Sequence, residues 1–253
     1  MTRLVAFAYG IACYGVMFAA LLYLFGFLGN FGVPKSIDLP ATSAAFGTAL
    51  AIDLALLALF GLQHSIMARP RFKAWWSRLV PQSVERSTYV LLSSAVLALL
   101  FLEWQPLPTA VWDAHDRWAI VTWWAVHGFG IALLLAATFV IDHFDLFGLR
   151  QVWLNLLRRP QRSPDFTVAF FYQYVRHPIY LGWLLIFWAT PHMTFGHLIF
   201  AASMTAYILI AVRYGERDLV GMHGSEYGQY RRRVPMLFPR PGQRRYSTLR
   251  ELR

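Results

Sequence analysis

The run Tyr172-Gln-Tyr-Val-Arg176-His177-Pro178-Ile-Tyr180-Leu-Gly182 stands where a polar stretch gives way to an apolar one. Pro178 predicts the first turn of a helix, because the N–H that proline lacks would have no intrahelical partner there. Arg176 and His177 then lie at a helix N-terminus, which favours anions. An apolar hairpin, with arms at 179–190 and 196–212, leads to the run Arg213-Tyr-Gly-Glu216-Arg217-Asp218. We therefore expect the two polar runs to be neighbours.

The composition indicates a membrane protein. Of the 253 residues, 57% are hydrophobic and 14% are charged, whereas about a quarter are charged in soluble proteins. Four apolar stretches, at about 4–29, 44–67, 88–104 and 118–141, are each long enough to cross a hydrocarbon core of about 30 Å. The predicted fold class is therefore all-α: a polytopic membrane protein with about five membrane excursions, four spans plus a C-terminal helical hairpin, and a cytosolic helical region.

The net charge of +10 comes mainly from short loops beside the apolar spans. Cations concentrate in the loop 68–87, in the stretch 150–176 and after the hairpin, whereas the loops near Lys35 and Asp113 carry few. The positive-inside rule then predicts that the basic segments and the C-terminus face the cytoplasm. Since no basic stripe on a soluble fold is predicted, nucleic acid is not an expected partner. The single cysteine, Cys13, excludes an intrachain disulfide and a cysteine-based metal site.

Several motifs carry a family resemblance. The last third of the chain resembles the carboxyl-terminal core of the integral-membrane methyltransferases typified by isoprenylcysteine carboxyl methyltransferase and phospholipid methyltransferase. The resemblance rests on the Arg-His-Pro-x-Tyr-x-Gly run, the hairpin, Glu216, the Tyr-x-x-Tyr at 227–230 and the Pro-x-x-x-Pro at 235–239. The runs at 61–70, 85–89 and 143–151 resemble more specifically the methanethiol S-methyltransferases and their denitrification-associated membrane relatives. In one departure, Glu216-Arg217 stands where the isoprenylcysteine enzymes usually have two adjacent glutamates.

The resemblance implies S-adenosyl-L-methionine as cofactor. Its polar end would be held by Arg176 and His177, and Glu216 would accept hydrogen bonds from its ribose hydroxyls or amino group. The site would be lined by four tyrosines, of which the last two share a helix face because they are three residues apart: Tyr172, Tyr180, Tyr227 and Tyr230. Taken singly, Arg176 is equally consistent with an interfacial anchor, Tyr180 with an interfacial belt aromatic, and Glu216-Arg217 with a surface ion pair.

Polar residues near the ends of apolar spans are the candidates for the acceptor side. His64 and Gln63 lie near the end of the second span, about level with His143 at the end of the fourth. A thiol must lose its proton to become a good nucleophile, and an imidazole can accept it. The predicted catalytic residues are thus His64, Gln63 and His143. For His64, a structural role as a helix cap or a backbone hydrogen-bond partner is an equally weighted alternative.

Two further possibilities were weighed. His64, His127 and His143 could converge on a metal ion, but no two histidines have the spacing typical of a zinc site, so none is predicted to bind metal. Asp53 lies inside the second span, where a charged group costs about 2.5 kcal/mol or more. For Asp53 we favour a buried structural hydrogen bond over catalysis.

The resemblance implies that a small thiol is methylated, with methanethiol giving dimethyl sulfide. The alternatives are a non-catalytic denitrification-associated membrane protein and a lipid or prenyl-cysteine methyltransferase. The predicted partners are the thiol and membrane lipid, with the oligomeric state left open. The expected location is a bacterial inner membrane, with the cofactor site and the C-terminus in the cytoplasm. We divide the chain into a four-span scaffold with the acceptor pocket (1–141), an interfacial helix and linker (142–171), a methyltransferase core (172–239) and a basic tail (240–253).

Overall fold

The computed structural model of the protein describes residues 2–41, 44–161 and 168–240, together with Gly242 and Tyr246. Most of the predicted tail, 240–253, and residues 162–167 of the predicted linker, 142–171, lie outside the described residues. The elements are α1 (Arg3–Gly29), α2 (Phe46–Ala68), α3 (Pro70–Trp76), α4 (Gln82–Glu103), β1 (Ala110–Asp113), α5 (Arg117–Ile141), α6 (His143–Leu146), α7 (Leu149–Leu156), a 3-10 turn (Phe170–Gln173), α8 (Pro178–Trp188), β2 (His192–Thr194) and α9 (Phe195–Arg233).

Five of the described helices, α1, α2, α4, α5 and α9, are long and apolar enough to cross a membrane. The predicted fold class, an all-α polytopic membrane protein, is thereby confirmed. The hairpin exists, but its arms are unequal, because α8 has 11 residues and α9 has 39. The apolar pattern marked the second arm only as far as residue 212. The helix continues to Arg233, with one kink at Gly224, where φ is 56° and ψ is −128°.

The core is built by α1, α2, α4, α5, α8 and α9 together. Trp104, at the end of α4, is fully buried, and its indole N–H donates to the Ile37 carbonyl at 3.0 Å. Asp53 of α2 is also fully buried, and its Oδ1 accepts the backbone N–H of Gln105 at 2.8 Å. That geometry agrees with the structural hydrogen bond favoured for Asp53 from the sequence.

Helix α8 crosses α5 at a pair of glycines. A Cβ added at Gly130 would lie 2.9 Å from the Leu185 Cβ and 3.0 Å from the Gly182 carbonyl oxygen. A Cβ added at Gly182 would in turn lie 2.9 Å from the Gly130 carbonyl oxygen. Backbone therefore meets backbone at this crossing, a packing mode typical of membrane helices. The crossing fixes α8, and with it the Arg176-His177 run that precedes it.

A short two-stranded ribbon lies at the other end of α8. Strands β1 and β2 pair antiparallel, with Ala110 opposite Thr194 and Asp113 opposite His192. The sequence analysis placed a loop near Asp113 and the bend of the hairpin after residue 190, and it did not predict strands within them. Strands of three or four residues carry almost no periodic signal of their own. Their pairing depends on the loop after α4 meeting the turn between α8 and α9.

The glycine crossing leads to a stability prediction. Gly130→Ala should lower the thermal unfolding midpoint of the detergent-solubilised protein, because overpacking a close contact costs about 1–3 kcal/mol. Gly128→Ala is the matched control, since an added Cβ at that position of the same helix meets nothing within 4 Å. Equal midpoints for the two variants, measured by differential scanning fluorimetry, would show that the crossing tolerates a methyl group.

Candidate functional site

The start of α8 is joined to the closing Pro-x-x-x-Pro segment by backbone hydrogen bonds. Arg176 N–H donates to the Pro235 carbonyl at 2.9 Å, and His177 N–H donates to the Met236 carbonyl at 3.1 Å. Pro178 occupies the first turn of α8, as the sequence predicts. These contacts bring two motifs that are almost 60 residues apart into one polar cluster.

Glu216 of α9 lies at the centre of that cluster and is buried. Its Oε1 accepts from Arg176 Nε at 2.7 Å and lies 3.0 Å from His177 Nε2. Its Oε2 lies 3.7 Å from Arg231 Nε, beyond hydrogen-bonding distance. The structure thus brings the three predicted polar residues together, and the second carboxylate oxygen keeps its capacity to accept hydrogen bonds.

Arg176 has further partners within the protein. Its guanidinium donates to the Arg231 carbonyl at 2.9 Å and to the Val234 carbonyl. These are among the last carbonyls of α9, which have no intrahelical donor. Arg176 therefore joins the end of α9 to Glu216. From the sequence, Arg176 was interpreted as a cofactor ligand or an interfacial anchor, and this positioning role was not predicted.

Three of the four predicted tyrosines share one apolar cluster, which contains Tyr172, Tyr227 and Tyr230. Tyr230 O–H donates to the Tyr172 carbonyl at 2.6 Å, and the rings of Tyr227 and Tyr230 are 5.7 Å apart. Burial raises the pKa of Tyr172 above its ordinary value, so its phenol is neutral at physiological pH. Tyr180 lies apart from this cluster and stacks on His177, with ring centroids 5.4 Å apart.

His64 lies in a cage of aromatic rings. Its ring centroid is 5.4 Å from that of Phe60, 5.1 Å from that of Tyr89 and 6.5 Å from that of Tyr207. Nδ1 lies 3.2 Å from Ser93 Oγ, whereas Nε2 makes no hydrogen bond to the part of the chain that the structure describes. The imidazole thus bonds a side chain and not a backbone carbonyl, and its Nε2 has no partner among the described residues.

Gln63 precedes His64 on α2 and contributes a buried amide. Its Nε2 donates to the Met67 sulfur at 3.0 Å. Its Oε1 is buried and has no hydrogen-bond partner among the described residues. A buried acceptor without a donor is costly, by about 1–3 kcal/mol, and such a group is suited to receive a hydrogen bond from a ligand.

His143 has partners on both ring nitrogens. Thr138 Oγ1 donates to the Leu135 carbonyl at 2.7 Å, so we assign the imidazole proton to Nδ1, which donates to Thr138 at 2.9 Å. Nε2 then accepts from Tyr14 O–H at 2.9 Å. Burial lowers the pKa of His143 below its ordinary value, against an opposing effect of Asp142. A neutral imidazole with both nitrogens hydrogen-bonded is less available as a base than that of His64.

The structure does not place the imidazoles of His64 and His143 in contact. They touch different members of one apolar cluster formed around Met17, Met67 and Tyr89. Tyr89 packs on His64, whereas Tyr14 and Phe147, which border the same cluster, pack on His143. The two histidines, about level in the sequence prediction, are linked in the structure only through this shared cluster, and their catalytic roles stay predictions.

The upstream motifs that carry the resemblance contact one another. Gly148 has φ +87°, and a Cβ there would lie 2.8 Å from the Ser87 backbone nitrogen. Arg86 Nε donates to the Leu146 carbonyl at 2.8 Å, and its guanidinium lies 5.1 Å above the Tyr89 ring. The loop at 143–151 is thus docked onto the first turns of α4. This contact holds His143 and Tyr89 against the same cluster.

Sequence reasoning missed two residues near these clusters. Tyr207 of α9 packs beside His64, and its hydroxyl lies 3.5 Å from Ser65 Oγ. Arg69 pairs with Asp218 at 3.0 Å. Tyr207 lies inside an apolar stretch, so nothing in the sequence marked it as a functional residue. Arg69 belongs to the motif at 61–70, but the sequence analysis used it only as one of the cations that set the membrane orientation. Arg217, at the departure from the family pattern, is exposed and lies over the Tyr214 ring.

The two groups of candidates lie close to each other. Arg69, five residues after His64, pairs with Asp218, two residues after Glu216, at 3.0 Å. Tyr180 and Tyr207 border one core cluster. Tyr180 also stacks on His177, and Tyr207 also packs beside His64. The polar cluster around Glu216 and the cage around His64 are therefore adjacent.

The histidines weighed for a metal site do not converge. His127 Nδ1 lies 3.1 Å from the Ala189 carbonyl at the end of α8, whereas His64 and His143 contact the Met67 cluster. Across residues 2–41, 44–161 and 168–240, no group of three or more histidine, cysteine, aspartate or glutamate side chains has an arrangement that could hold a metal ion.

Comparisons with known proteins give the family. The chain is 46% identical to the methanethiol S-methyltransferase of Crocosphaera subtropica over 239 residues, covering 94% of this chain and 93% of that protein. It is 47% identical to the methanethiol S-methyltransferase of Mycobacterium tuberculosis over 241 residues, covering 95% and 98%. It is also 33% identical to Nurim of Homo sapiens over 182 residues, covering 67% and 68%. No family model and no solved structure matches the chain. At this identity and coverage, the chain belongs to the methanethiol S-methyltransferase family.

Proposed function

We propose that the protein methylates a small thiol with S-adenosyl-L-methionine, converting methanethiol to dimethyl sulfide. The names of its relatives support the reaction. The observation that carries the proposal is the adjacency of the Glu216 cluster and the His64 cage, which the Arg69–Asp218 ion pair links at 3.0 Å. Methyl transfer requires donor and acceptor atoms within about 3–3.5 Å in a fixed geometry, so adjacent sites for the two reactants are a necessary condition.

The donor set around Glu216 fits the polar groups of S-adenosylmethionine. Glu216 Oε2 can accept hydrogen bonds from ribose hydroxyls or an ammonium group, because no described residue lies within hydrogen-bonding distance of it. His177 offers an imidazole, and Tyr180 offers an aromatic face next to it. Tyr172, Tyr227 and Tyr230 line the same region. Arg176 acts indirectly, since it orients the carboxylate.

When bound, the cofactor would supply an electrophilic methyl group on its sulfonium sulfur, which the thiolate sulfur would accept, and S-adenosylhomocysteine would be the by-product. In our proposal His64 Nε2 takes the thiol proton, because that nitrogen has no partner among the described residues. Before that transfer, Gln63 Oε1 can accept the S–H hydrogen bond and so position the thiol. His143, held by Tyr14 and Thr138, orients the loop at its end of α5.

We further propose that the Glu216 end of the bundle faces the cytoplasm of a bacterial cell, with the protein in its inner membrane. The basic loop between α2 and α4, the stretch after α5 and the end of α9 all lie at that end, as the positive-inside rule requires. This orientation also gives the cofactor site access to the cytoplasmic cofactor supply.

A binding prediction tests the cofactor site. Glu216→Gln and His177→Ala should each weaken binding of S-adenosylhomocysteine by about 10- to 100-fold in calorimetry, because a hydrogen bond to a charged group contributes about 1.5–3 kcal/mol. Glu226→Gln, an exposed position on the same helix, is the control. Because Glu216→Gln also leaves Arg176 without its buried partner, His177→Ala and thermal unfolding of both variants separate lost contacts from lost folding. Parent-like affinity in both folded variants would contradict the site.

A kinetic prediction tests His64. His64→Ala should lower methyl transfer to methanethiol by about 10²- to 10⁴-fold, the usual range for loss of a general base, with cofactor affinity unchanged. The loss should shrink as the pH rises toward the pKa of the thiol, because solution then supplies thiolate. Headspace gas chromatography of dimethyl sulfide measures the rate, and His115→Ala, at an exposed loop, is the control. A fractional loss that is constant with pH would assign His64 to positioning.

Site-directed labelling tests the orientation. In a Cys13→Ala background, single cysteines replacing Lys35 and Asp113 should react with an impermeant maleimide added outside intact cells. Cysteines replacing Arg71 and Arg158 should react only after the cells are opened. Labelling of Arg158→Cys from outside would reverse the proposed orientation.

A further inference from the structure

Tyr207 occupies the junction between the two proposed sites. It lies on α9, and its ring centroid is 6.4 Å from that of Phe60 and 6.5 Å from that of His64. Tyr207 also borders the core cluster that Tyr180 borders, and Tyr180 stacks on His177. Tyr207 thus belongs to the acceptor cage and shares a core cluster with a residue of the cofactor site.

The Tyr207 ring packs directly against the backbone of α2. A Cβ added at Gly61 would lie 3.1 Å from Cδ2 of this ring and 3.5 Å from Cε2. Because the ring lies in van der Waals contact with α2 one turn before His64, nothing can pass between Tyr207 and the helix. The Ser65 contact at 3.5 Å holds the hydroxyl on the same side of the helix.

The other rings of the cage come from different directions. Phe60 of α2 is stacked at 22° to the imidazole plane, and Tyr89 of α4 is tilted at 44°. Tyr207 of α9 meets the imidazole edge-on at 76°. Rigid rings on three sides leave little room for an alkyl chain beside His64. Of these rings, Tyr207 is the one that α9, the helix of Glu216, contributes.

We propose that Tyr207 determines the size of the acceptor: its ring is the wall that admits a one-carbon thiol beside His64 and rejects longer alkyl thiols. This inference rests on the proposed function, because it takes the His64 cage as the acceptor site. Tyr207 contributes bulk rather than a proton, so the ring and not the hydroxyl carries the effect. One additional methylene against such a wall changes specificity by about 10- to 200-fold.

The test compares acceptor profiles. Purified parent, Tyr207→Ala and Tyr207→Phe receive S-adenosylmethionine with methanethiol, ethanethiol or 1-propanethiol, and headspace gas chromatography quantifies the methyl sulfides. The parent should prefer methanethiol. Tyr207→Ala should raise the 1-propanethiol to methanethiol ratio of kcat/KM by at least about 10-fold, whereas Tyr207→Phe should keep the parental ratio. Ile210→Ala, an exposed position on the same helix, is the control.

A structural role without specificity gives a different result. If Tyr207→Ala lowers all three rates by the same factor and leaves their ratio unchanged, the wall is disproved. A ratio that shifts equally in Tyr207→Phe would also overturn the inference, because the hydroxyl would then be the determinant. Calorimetry with S-adenosylhomocysteine in each variant shows whether the cofactor site has been disturbed.

A binding measurement separates this inference from the proposed function. Thermal stabilisation of the S-adenosylhomocysteine complex is measured with methanethiol and 1-propanethiol in parent and Tyr207→Ala. If the Tyr207 ring excludes longer thiols, methanethiol alone should raise the unfolding midpoint of the parent complex, and both thiols should raise that of Tyr207→Ala. A parent that discriminates in this way without any turnover would refute the methyltransferase proposal and retain the wall. Absence of discrimination, with or without turnover, would refute the wall.

Discussion

The buried carboxylate of Glu216 is the interaction on which the arrangement of the site depends. A buried, uncompensated charge costs several kcal/mol, and here Arg176 and His177 lie within 3.0 Å of it. Because Arg176 also binds the last carbonyls of α9, one guanidinium joins α9, the residues before α8 and the closing segment. The short helix α8 is then held at one end by this ionic cluster and along its length by the glycine crossing with α5. The position of His177 and Tyr180 follows from these two constraints.

The membrane environment explains why the second cluster has a different character. Around His64 the neighbours are aromatic rings and a serine hydroxyl, and no described charged side chain is hydrogen-bonded to the imidazole. A neutral thiol can enter such surroundings without desolvating an ion, whereas the charged ends of a cofactor need the polar cluster. A reaction between a polar cofactor and a small apolar acceptor thus suits two adjacent sites of unlike polarity. Water exclusion around the thiol would also strengthen each electrostatic contact that a transition state makes.

Sequence alone determined the parts of this protein that depend on local physics. The apolar stretches predicted the membrane helices to within a few residues for α1, α2 and α5, because hydrophobic length against bilayer thickness is a one-dimensional property. Pro178 predicted the start of α8, since proline constrains its own turn. The polar residues at helix ends predicted the members of the Glu216 cluster, and their motifs gave the family before any contact was known.

Only the tertiary structure decided how those parts act together. The continuation of α9 beyond residue 212, the ribbon of β1 and β2 and the docking of Gly148 on Ser87 all depend on contacts between segments far apart in the chain. His64 was the first candidate base in the sequence and His143 the second. The structure distinguishes them physically, because one imidazole nitrogen of His64 has no described partner, whereas both nitrogens of His143 are hydrogen-bonded. Tyr207 gave no sequence signal, because a tyrosine in an apolar helix looks the same whether it faces lipid or a neighbouring helix. Its role follows from where α9 meets α2, and packing between helices sets that position.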